Sequence, residues 1–341
     1  MVESVKRGHA RGMTTINRIE IPTPFVLDRV NCYYLNDSNP TLIDAGVDTD
    51  DAFEALKAGI GSAGGSIRGI RRVLLTHAHA DHIGLVNKVV DQSGAEVFIH
   101  RLDAPKMPDS GEQGASLLRT KYKEFFHESG APEPLTEEFL EVLFKRLKRY
   151  FIPFEDAKPL EGSEIFSFDD FDLEIIHTPG HSPGSACALN KLDGTLFSGD
   201  TLLEKITSNP VVEVKPSKDN RGYKSLETYK ATLDNLALKP VTTVMPGHGA
   251  PFSNHHKRIQ DLLDHHEERT RQVIEILRSH SRDSDSIPGL TRYQMTQLLF
   301  NNLKGMDVFL GLSEIKGHLE ILETRGLVST VFKDEMLLYS L

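Results

Sequence analysis

The chain has 341 residues, which is enough for a large core and for two domains. Its hydrophobic content of 39% and charged content of 26% are typical of a globular protein, and its formal net charge of -10 provides no bulk attraction to nucleic acid or anionic membranes. No apolar run approaches the roughly 18 residues of a membrane span, and the polar start lacks the apolar segment of a signal peptide. We therefore expect a cytoplasmic protein with a disordered start at residues 1–15 and no membrane partner.

Short apolar runs alternate with helical patterns in the first hundred residues. The sequence predicts strands at 16–21, 25–27, 31–35, 41–43, 73–75 and 96–99, and helices at 50–60 and 83–92. Cys32 and Cys187 lie in apolar strand-like runs and are predicted to be buried thiols in a reducing compartment. The alternation of strands and helices favours an α/β fold.

A helical insertion is predicted at about residues 103–158, where a Pro- and Gly-containing loop precedes two amphipathic helices. Its apolar faces would serve in packing or, alternatively, as a lid or apolar wall over a site. Basic residues end the second helix, where cations suit the helix dipole. We interpret these four residues as a solvated face rather than a nucleic-acid patch: Lys145, Arg146, Lys148 and Arg149.

Strands resume after the insertion, and a further small domain follows them. Strands are predicted at 164–168, 171–176 and 242–245, with others ending near Leu189 and Thr201, and helices at 226–236 and 254–280. The long loop 205–223 is expected to contribute to specificity. Beyond the polar segment 281–289, two helices at 292–302 and 313–325 and a hairpin at 331–339 have the order of a winged-helix domain, predicted at 287–341.

The stretch from Thr76 to His82 is rich in metal ligands. His77, His79, Asp81 and His82 follow the apolar run Val73-Leu74-Leu75 and precede a helical segment. Imidazole and carboxylate are natural ligands of a borderline cation such as zinc. In extended backbone His77 and His79 point the same way and can reach one ion, whereas Asp81 and His82 come after the turn and can aim at a second position.

Other metal-type residues follow later strand ends and lie beside small residues. These are Asp44, His181, Asp200 and His248, each next to or near glycine or alanine. Glycine lets the backbone turn sharply and approach a ligand closely. Because loops at one edge of an α/β sheet build its site, this repeated pattern predicts a metal centre at a sheet edge.

In the order of these residues, the chain resembles the metallo-β-lactamase superfamily: His77-x-His79-x-Asp81-His82, then His181, Asp200 and His248. Asn31-Cys32-Tyr33 and Leu42-Ile43-Asp44-Ala45-Gly46 are similar to its N-terminal strands. The resemblance implies an αββα sandwich over residues 16–280. The spacing is similar to that of the glyoxalase II, lactonase and ribonuclease-like branch, and the C-terminal segment resembles the winged-helix domain of one group of these hydrolases.

The resemblance also implies a dinuclear centre. His77, His79 and His181 would bind the first metal, Asp81, His82 and His248 the second, and Asp200 would bridge both. We expect two divalent ions, with zinc favoured and iron or manganese as alternatives. Asp81 and Asp200 are the implied catalytic residues, Asp81 acting as ligand and proton acceptor. Asp44 either orients a histidine ligand or caps a turn.

We predict a hydrolase in which a bridging hydroxide attacks an ester-like bond, a thioester or lactone, of a small-molecule substrate. The alternative is a metal-dependent endoribonuclease. Nucleic acid is the less favoured partner, because residues 287–341 hold six acidic and five basic residues. This segment is instead expected to serve in packing or dimerisation, so a homodimer is left open. A binding protein without turnover and a mononuclear iron enzyme that oxidises persulfides are less favoured again.

Overall fold

Two β-sheets face each other at the centre of the protein. The computed structural model describes residues 13–104, 112–150, 154–208, 210–212, 214, 222–283, 289–301 and 303–341. The first sheet has six strands in the order β1 to β6: Thr15–Pro22, Arg29–Asn36, Thr41–Ile43, Arg72–Leu74, Glu96–His100 and Lys158–Leu160. The second has five strands in the order β11-β10-β9-β8-β7, where β7 to β11 are Ile165–Ser167, Asp172–His177, Ala186–Asn190, Thr195–Gly199 and Thr243–Pro246. Strands β3 to β6 run parallel, as do β10 and β11.

Helices lie on both outer faces of this pair and around its ends. Helices α1 to α9 are Asp50–Ser62, Ala80–Ile83, Val86–Ser93, Glu112–Glu128, Glu133–Tyr150, Ser225–Ala237, His255–Asp283, Arg292–Leu299 and Met306–Thr324. A hairpin of β12 (Ser329–Lys333) and β13 (Met336–Ser340) follows. Within the described ranges, we find no helix that is both long and apolar enough to cross a membrane.

The side chains of β2 show how the layers form. Tyr33 and Leu35 pack into the core between the sheets, with Phe197 from the second sheet. Cys32 and Tyr34 point the other way, into a core shared with α1 and α3. The outer face of the second sheet packs on α6 and α7. Successive strand residues face opposite sides, so this alternation gives the predicted helix–sheet–sheet–helix sandwich. Both cysteines are buried and free, as predicted.

The insertion helices α4 and α5 pack on α9. Phe125 and Phe126 of α4 and Phe139 of α5 share one apolar cluster with Phe309 of α9. The Phe126 and Phe139 rings stack with centroids 4.7 Å apart. The apolar face of the insertion is therefore buried, which agrees with the packing interpretation and not with an apolar wall over a site. The loop predicted at its start lies at residues 105–111, outside the described residues.

The C-terminal elements follow the predicted order of helix, helix and hairpin. Helix α9 contacts α5, α6, α7 and α8, and no residue from Val308 to Leu322 is exposed. Most of the predicted boundary at 281–289 lies outside the described residues. At the other end of the chain, β1 begins at Thr15, within the predicted disordered start, and residues 1–12 of that start are also outside the described residues.

The predicted strand at 25–27 is wrong. These residues form a bend that closes the β1–β2 hairpin, in which Pro22 pairs with Arg29. Thr23 N donates to Asp28 O at 2.8 Å, and Phe25 N donates to the Thr23 hydroxyl at 3.2 Å. The backbone groups are thus used within the loop, and they do not pair with a further strand.

The predicted helix at 83–92 is broken into α2 and α3. Leu85 N donates to Gly46 O instead of to a carbonyl of the preceding turn. A β-carbon at Gly84 would lie 2.4 Å from Asp48 N, so the helix meets the β3–α1 loop closely here. This contact redirects the chain immediately after the ligand-rich stretch.

Candidate metal centre

Seven His and Asp side chains meet where strands of both sheets end. His77, His79, Asp81 and His82 follow β4, whereas His181, Asp200 and His248 follow β8, β10 and β11. Their ligand atoms form three groups, within each of which the atoms lie within 4.8 Å: His77, His79 and His181; His77, His82 and Asp200; Asp81, His82 and His248. The structure thus brings together all seven residues that the sequence analysis proposed as ligands.

The Asp200 carboxylate lies between the two outer groups. Its Oδ1 is 3.5 Å from His82 Nε2. Its Oδ2 is 3.7 Å from His181 Nε2 and 3.6 Å from His248 Nε2. On either side, His79 Nδ1 is 3.0 Å from His181 Nε2, and Asp81 Oδ2 is 3.4 Å from His248 Nε2. One carboxylate therefore faces histidines of both groups.

Several atoms that face one another here lack hydrogen bonds among the described residues. They are His77 Nε2, His82 Nε2 and Asp200 Oδ1, all deeply buried. Buried polar atoms are normally paired, and an unpaired one costs about 1–3 kcal/mol. Imidazole nitrogens and carboxylate oxygens gathered at this spacing suit a divalent cation of the zinc type. The residues present therefore fit a metal site.

Asp44 orients one of these histidines. Its Oδ2 accepts from His82 Nδ1 at 2.8 Å and from the Thr76 hydroxyl at 2.8 Å, and its Oδ1 accepts from Thr76 N at 2.8 Å. Since a carboxylate only accepts, His82 carries its proton on Nδ1 and presents Nε2 to the site. Asp44 has φ of +56°, a left-handed conformation that aspartate tolerates. Of the two predicted roles for Asp44, the orienting one is observed.

Other histidines are fixed through Nδ1 in the same way. His248 Nδ1 donates to Arg29 O at 2.5 Å, so Nε2 is left as the ligand atom. His77 Nδ1 lies 3.1 Å from the Thr76 hydroxyl, and His181 Nδ1 lies 3.1 Å from the Ser208 hydroxyl. Partners on the outer nitrogen set the tautomer and the ring orientation of a metal ligand. Neither hydroxyl is predicted as a support from the sequence.

Asp103, which is not predicted from the sequence either, joins two ligand loops. The buried Asp103 carboxylate accepts from Ala78 N at 3.0 Å, from the Ser182 hydroxyl at 2.7 Å and from Gly184 N at 2.8 Å. It therefore holds the loop after β4 against the loop after β8. Asp103 follows the end of β5, as the predicted ligands follow their strands, and that position was the available signal. The Ser182 hydroxyl is part of this contact.

Two tyrosines donate hydrogen bonds to backbone carbonyls of the ligand-bearing turns. Tyr33 is buried, and its hydroxyl donates to Pro246 O at 2.7 Å. Tyr223 donates from its hydroxyl to Gly180 O at 3.2 Å, next to His181. Tyr33 thus supports the turn before His248, and Tyr223 supports the turn before His181.

The electrostatics of the cluster favour a cation at its centre. Burial alone would raise the pKa of Asp200, but His82 and His248 outweigh it and hold this pKa well below its usual range. Burial acts to lower the pKa of His82, but Asp200, Asp44 and Asp81 raise it well above its usual value. For His77, burial and the neighbouring histidines together lower the pKa far below its usual value. The ionised carboxylates therefore stabilise a positive charge placed between them. His77 stays neutral, which is the protonation state that a histidine needs to bind a metal.

Comparison with known families agrees with this geometry. The family described as "Metallo-beta-lactamase superfamily" matches residues 26–248, a range that ends on His248 and includes the six other clustered side chains. The chain belongs to the metallo-beta-lactamase superfamily. The mixed α/β sandwich, the strand-end histidines and Asp200 are therefore features of a superfamily member.

Relatives in sequence carry hydrolase names. "Probable metallo-hydrolase YqjP" of Bacillus subtilis is 29% identical over 326 residues, which cover 94% of this chain and 97% of that protein. "Atrochrysone carboxyl ACP thioesterase" of Aspergillus fumigatus is 25% identical over 52% of this chain and 53% of its own length. This chain is accordingly a metallo-hydrolase of the superfamily, and the seven clustered side chains are its candidate ligands.

The fold similarity extends through the C-terminal elements. A metallo-beta-lactamase family protein from Thermus thermophilus has a TM-score of 0.77 at 25% identity, covering 95% of this chain and 98% of its own. A beta-lactamase domain protein from Burkholderia ambifaria has a TM-score of 0.75 at 21% identity, covering 98% of this chain and 95% of its own. The superfamily sandwich, the insertion and the C-terminal helices are thus similar in other proteins.

Proposed function

We propose that this metallo-hydrolase binds two divalent ions, zinc by preference, and hydrolyses an ester-like bond. The observation that carries the proposal is the position of Asp200, whose two oxygens face histidines of separate ligand groups. His77, His79 and His181 would hold one ion, and Asp81, His82 and His248 the other. A site of histidines and carboxylates with no cysteine suits zinc, with manganese or iron as alternatives.

The ions would supply an activated water and polarise the oxygen of the bond that is cut. The chain contributes orientation and proton transfer. Asp44 and Arg29 O hold His82 and His248 with Nε2 facing the site. Asp81, whose Oδ2 lies 3.4 Å from His248 Nε2, is the carboxylate that would take a proton during the reaction. Asp200 would fix the spacing of the two ligand groups.

A thioester is the substrate class that we favour, with a lactone as the second member of this ester-like group. A thiolate is a good leaving group and needs little acid assistance, so the ligand residues suffice for the chemistry. A relative of similar sequence over half the chain is named as a thioesterase that acts on a carrier-bound acid. This similarity supports the proposal without extending to the acid itself.

A ribonuclease is the alternative, and burial of α9 weighs against it. The predicted helix 313–325, which would be the recognition helix of a winged-helix domain, lies almost entirely in α9 and is covered by its neighbours as far as Leu322. A helix that reads nucleic acid must enter a groove. We therefore assign the C-terminal elements a packing role. A homodimer would then need a surface other than α9.

The test of the metal centre combines metal analysis with one substitution. We expect about two zinc ions per chain after reconstitution and loss of one or both in Asp200→Ala, with activity reduced at least about 1000-fold because the bridging ligand is missing. Asp51→Ala, at an exposed position in the first turn of α1, is the matched control and should keep both ions. One iron per chain with no second ion, or wild-type turnover by Asp200→Ala, would contradict the proposal of a dinuclear centre.

The substrate class requires a separate assay. Thioesters, lactones and a labelled RNA should be compared with and without a chelator. We expect chelator-sensitive hydrolysis of a thioester or lactone. Cleavage of RNA without any ester hydrolysis would replace this proposal with the ribonuclease alternative.

A further inference from the structure

A basic groove lies between the end of α5 and the loop 23–28. We call it the α5 groove; its volume is about 580 Å³. Six aromatic and basic side chains dominate its lining: Phe25, Lys145, Arg146, Lys148, Arg149 and Tyr150. Among the described residues that line it, none is acidic. Its size falls within the roughly 300–1,000 Å³ of small-molecule sites.

The positive charges of the α5 groove are not neutralised within the described protein. No ion pair involving described residues engages Lys145, Lys148 or the two arginines, although many other surface cations are paired. The helix dipole favours Lys148 and Arg149 in the last turn of α5, but Lys145 and Arg146 lie outside that turn, and the four neighbouring cations repel one another. An anionic ligand would remove this repulsion.

Two aromatic rings hold the arginines in place. The Arg146 guanidinium lies 5.7 Å from the centre of the Phe25 ring, and that of Arg149 lies 5.6 Å from the centre of the Tyr150 ring. The two rings meet edge to face with centroids 5.4 Å apart. Guanidinium groups bind phosphate through paired hydrogen bonds, and aromatic rings can stack on a base. The groove therefore suits a ligand with both phosphate groups and a planar or apolar part.

The α5 groove is connected to the metal centre by the loop 23–28. Phe25 in the groove is four residues from Arg29, whose carbonyl oxygen accepts from His248 Nδ1. Four residues span at most about 14 Å, so the Phe25 end of the groove lies within about that distance of the backbone carbonyl that holds His248. The loop is closed by its own hydrogen bonds, and Val26 at its tip is 89% exposed. This exposed side chain offers an apolar contact next to the groove.

We propose that the α5 groove binds the phosphate-bearing thiol carrier of a thioester substrate, which places the acyl–sulfur bond at the metal centre. This inference rests on the proposed hydrolase function and names its substrate class. In the reaction, a C–O bond forms from water and the C–S bond breaks; one proton of the water goes to the departing sulfur and the other is released to solvent, giving a carboxylate and the free carrier thiol. The size of the groove and the acidic protein as a whole favour such a small carrier over RNA.

The first experiment measures binding without chemistry. Coenzyme A, a phosphorylated thiol carrier with no acyl group, should bind the full-length protein in titration calorimetry. Lys145→Glu/Arg149→Glu should weaken this binding at least about tenfold, since two phosphate contacts become repulsive. Both positions are exposed, so the fold should be kept. The matched control Arg278→Glu/Lys333→Glu reverses one arginine and one lysine at exposed positions outside the groove and should bind as the wild type does.

The second experiment separates the groove from the metal centre. For a coenzyme A thioester, Lys145→Glu/Arg149→Glu should raise KM at least about tenfold and leave kcat unchanged. For the same acid as a thioester of N-acetylcysteamine, an uncharged thiol, neither constant should change. Equal effects on both thioesters, or no effect on either, would overturn the inference.

The remaining outcomes distinguish the two proposals. Hydrolysis of both thioesters without groove-dependent binding of coenzyme A would overturn the groove and keep the proposed function. Groove-dependent binding of coenzyme A without any thioester hydrolysis would support the groove as a carrier site and overturn the proposed function. Groove-dependent binding of a short RNA in place of coenzyme A would overturn the carrier assignment.

Discussion

Gly247 has no room for a side chain. A β-carbon at this position would lie 2.4 Å from Asp200 Oδ1 and 2.9 Å from His82 Cε1, both in the metal centre. Gly247→Ala should therefore displace Asp200 and lower metal content to below one ion per chain, with the overall fold kept. Metal analysis and circular dichroism check this.

Gly61→Ala is the control, because a β-carbon there meets nothing within 4 Å and the residue is exposed in α1. We expect it to keep its metal and to gain up to about 1 kcal/mol of stability from helix propensity. Equal metal content in the two variants would contradict the close approach at Gly247.

Asp44 acts through acceptor oxygens on both sides of its carboxylate. An amide at this position has one donor nitrogen, which would face either Thr76 N or the His82 Nδ1 proton. Asp44→Asn should therefore weaken metal binding by about 10- to 100-fold, as is usual when a partner of a ligating histidine is lost. Competition with a chelator measures this affinity. Asp91→Asn, at an exposed position of α3, should have the wild-type affinity.

At the scale of elements, α9 is linked to the metal centre by a loop. Val212 N donates to the Ser313 hydroxyl of α9 at 2.7 Å, and the Ser225 hydroxyl of α6 donates to Pro210 O at 3.3 Å. The same loop carries Ser208, whose hydroxyl lies 3.1 Å from His181 Nδ1. The C-terminal helix thus fixes a segment that orients a ligand.

Ser313→Ala should lower both the stability of the protein and its affinity for metal. It leaves Val212 N without its partner, so we expect the free energy of unfolding to fall by about 1–3 kcal/mol. Affinity for the ion held by His181 should fall as well, and Ser208→Ala should lower it by about 10-fold or more. Ser329→Ala, at an exposed hairpin position, should change neither quantity. A stability loss in Ser313→Ala with unchanged metal affinity would mean that α9 does not influence the site.

The sequence predicts the candidate metal ligands better than it predicts the residues that hydrogen-bond to them and hold their loops in place. His181, Asp200 and His248 can be recognised because a strand end and an adjacent small residue are both local features. Asp103 and Ser208 cannot be assigned in this way, because their partners come from other strands and loops and become neighbours only in the folded sandwich. Helix α2 ends early for the same reason, since Leu85 N pairs with Gly46 O across the structure.

At the scale of the whole molecule, two buried histidines join α7 to α9 and should make stability depend on pH. Both nitrogens of His266 lack a hydrogen-bond partner among the described residues, and burial, with His265, Lys230 and Arg269, lowers its pKa to about 3. Burial also lowers the pKa of His318 well below its usual value.

Whether stability rises or falls with pH depends on whether the folded or the unfolded chain binds more protons. Below about pH 6.5 the unfolded chain protonates these histidines and the folded chain does not, so stability falls as the pH is lowered toward 3, by up to about 1.4 kcal/mol per pH unit for each. Burial raises the pKa of Glu314, with Arg269 opposing it, and this carboxyl acts in the other direction. We expect the histidines to dominate because there are two of them.

Urea unfolding at pH 7, 6 and 5 in the presence of a chelator measures this dependence without a contribution from metal release. The slope of stability against pH should be smaller in His266→Gln/His318→Gln than in the wild type. Parallel curves would show that these histidines titrate alike in the folded and unfolded chain.

The proposed ligands are divided between the two sheets. The first sheet brings His77, His79, Asp81 and His82 within one short stretch, whereas the second brings its three from loops as far along the chain as His248. During synthesis, an emerging chain therefore offers a partial, weakly binding site long before the rest exists. If these residues bind metal as proposed, tight binding would require residue 248 to have left the ribosome and the second sheet to have packed on the first. Metal binding would then be a late step of biosynthesis, and a chain truncated before residue 248 would bind metal only weakly.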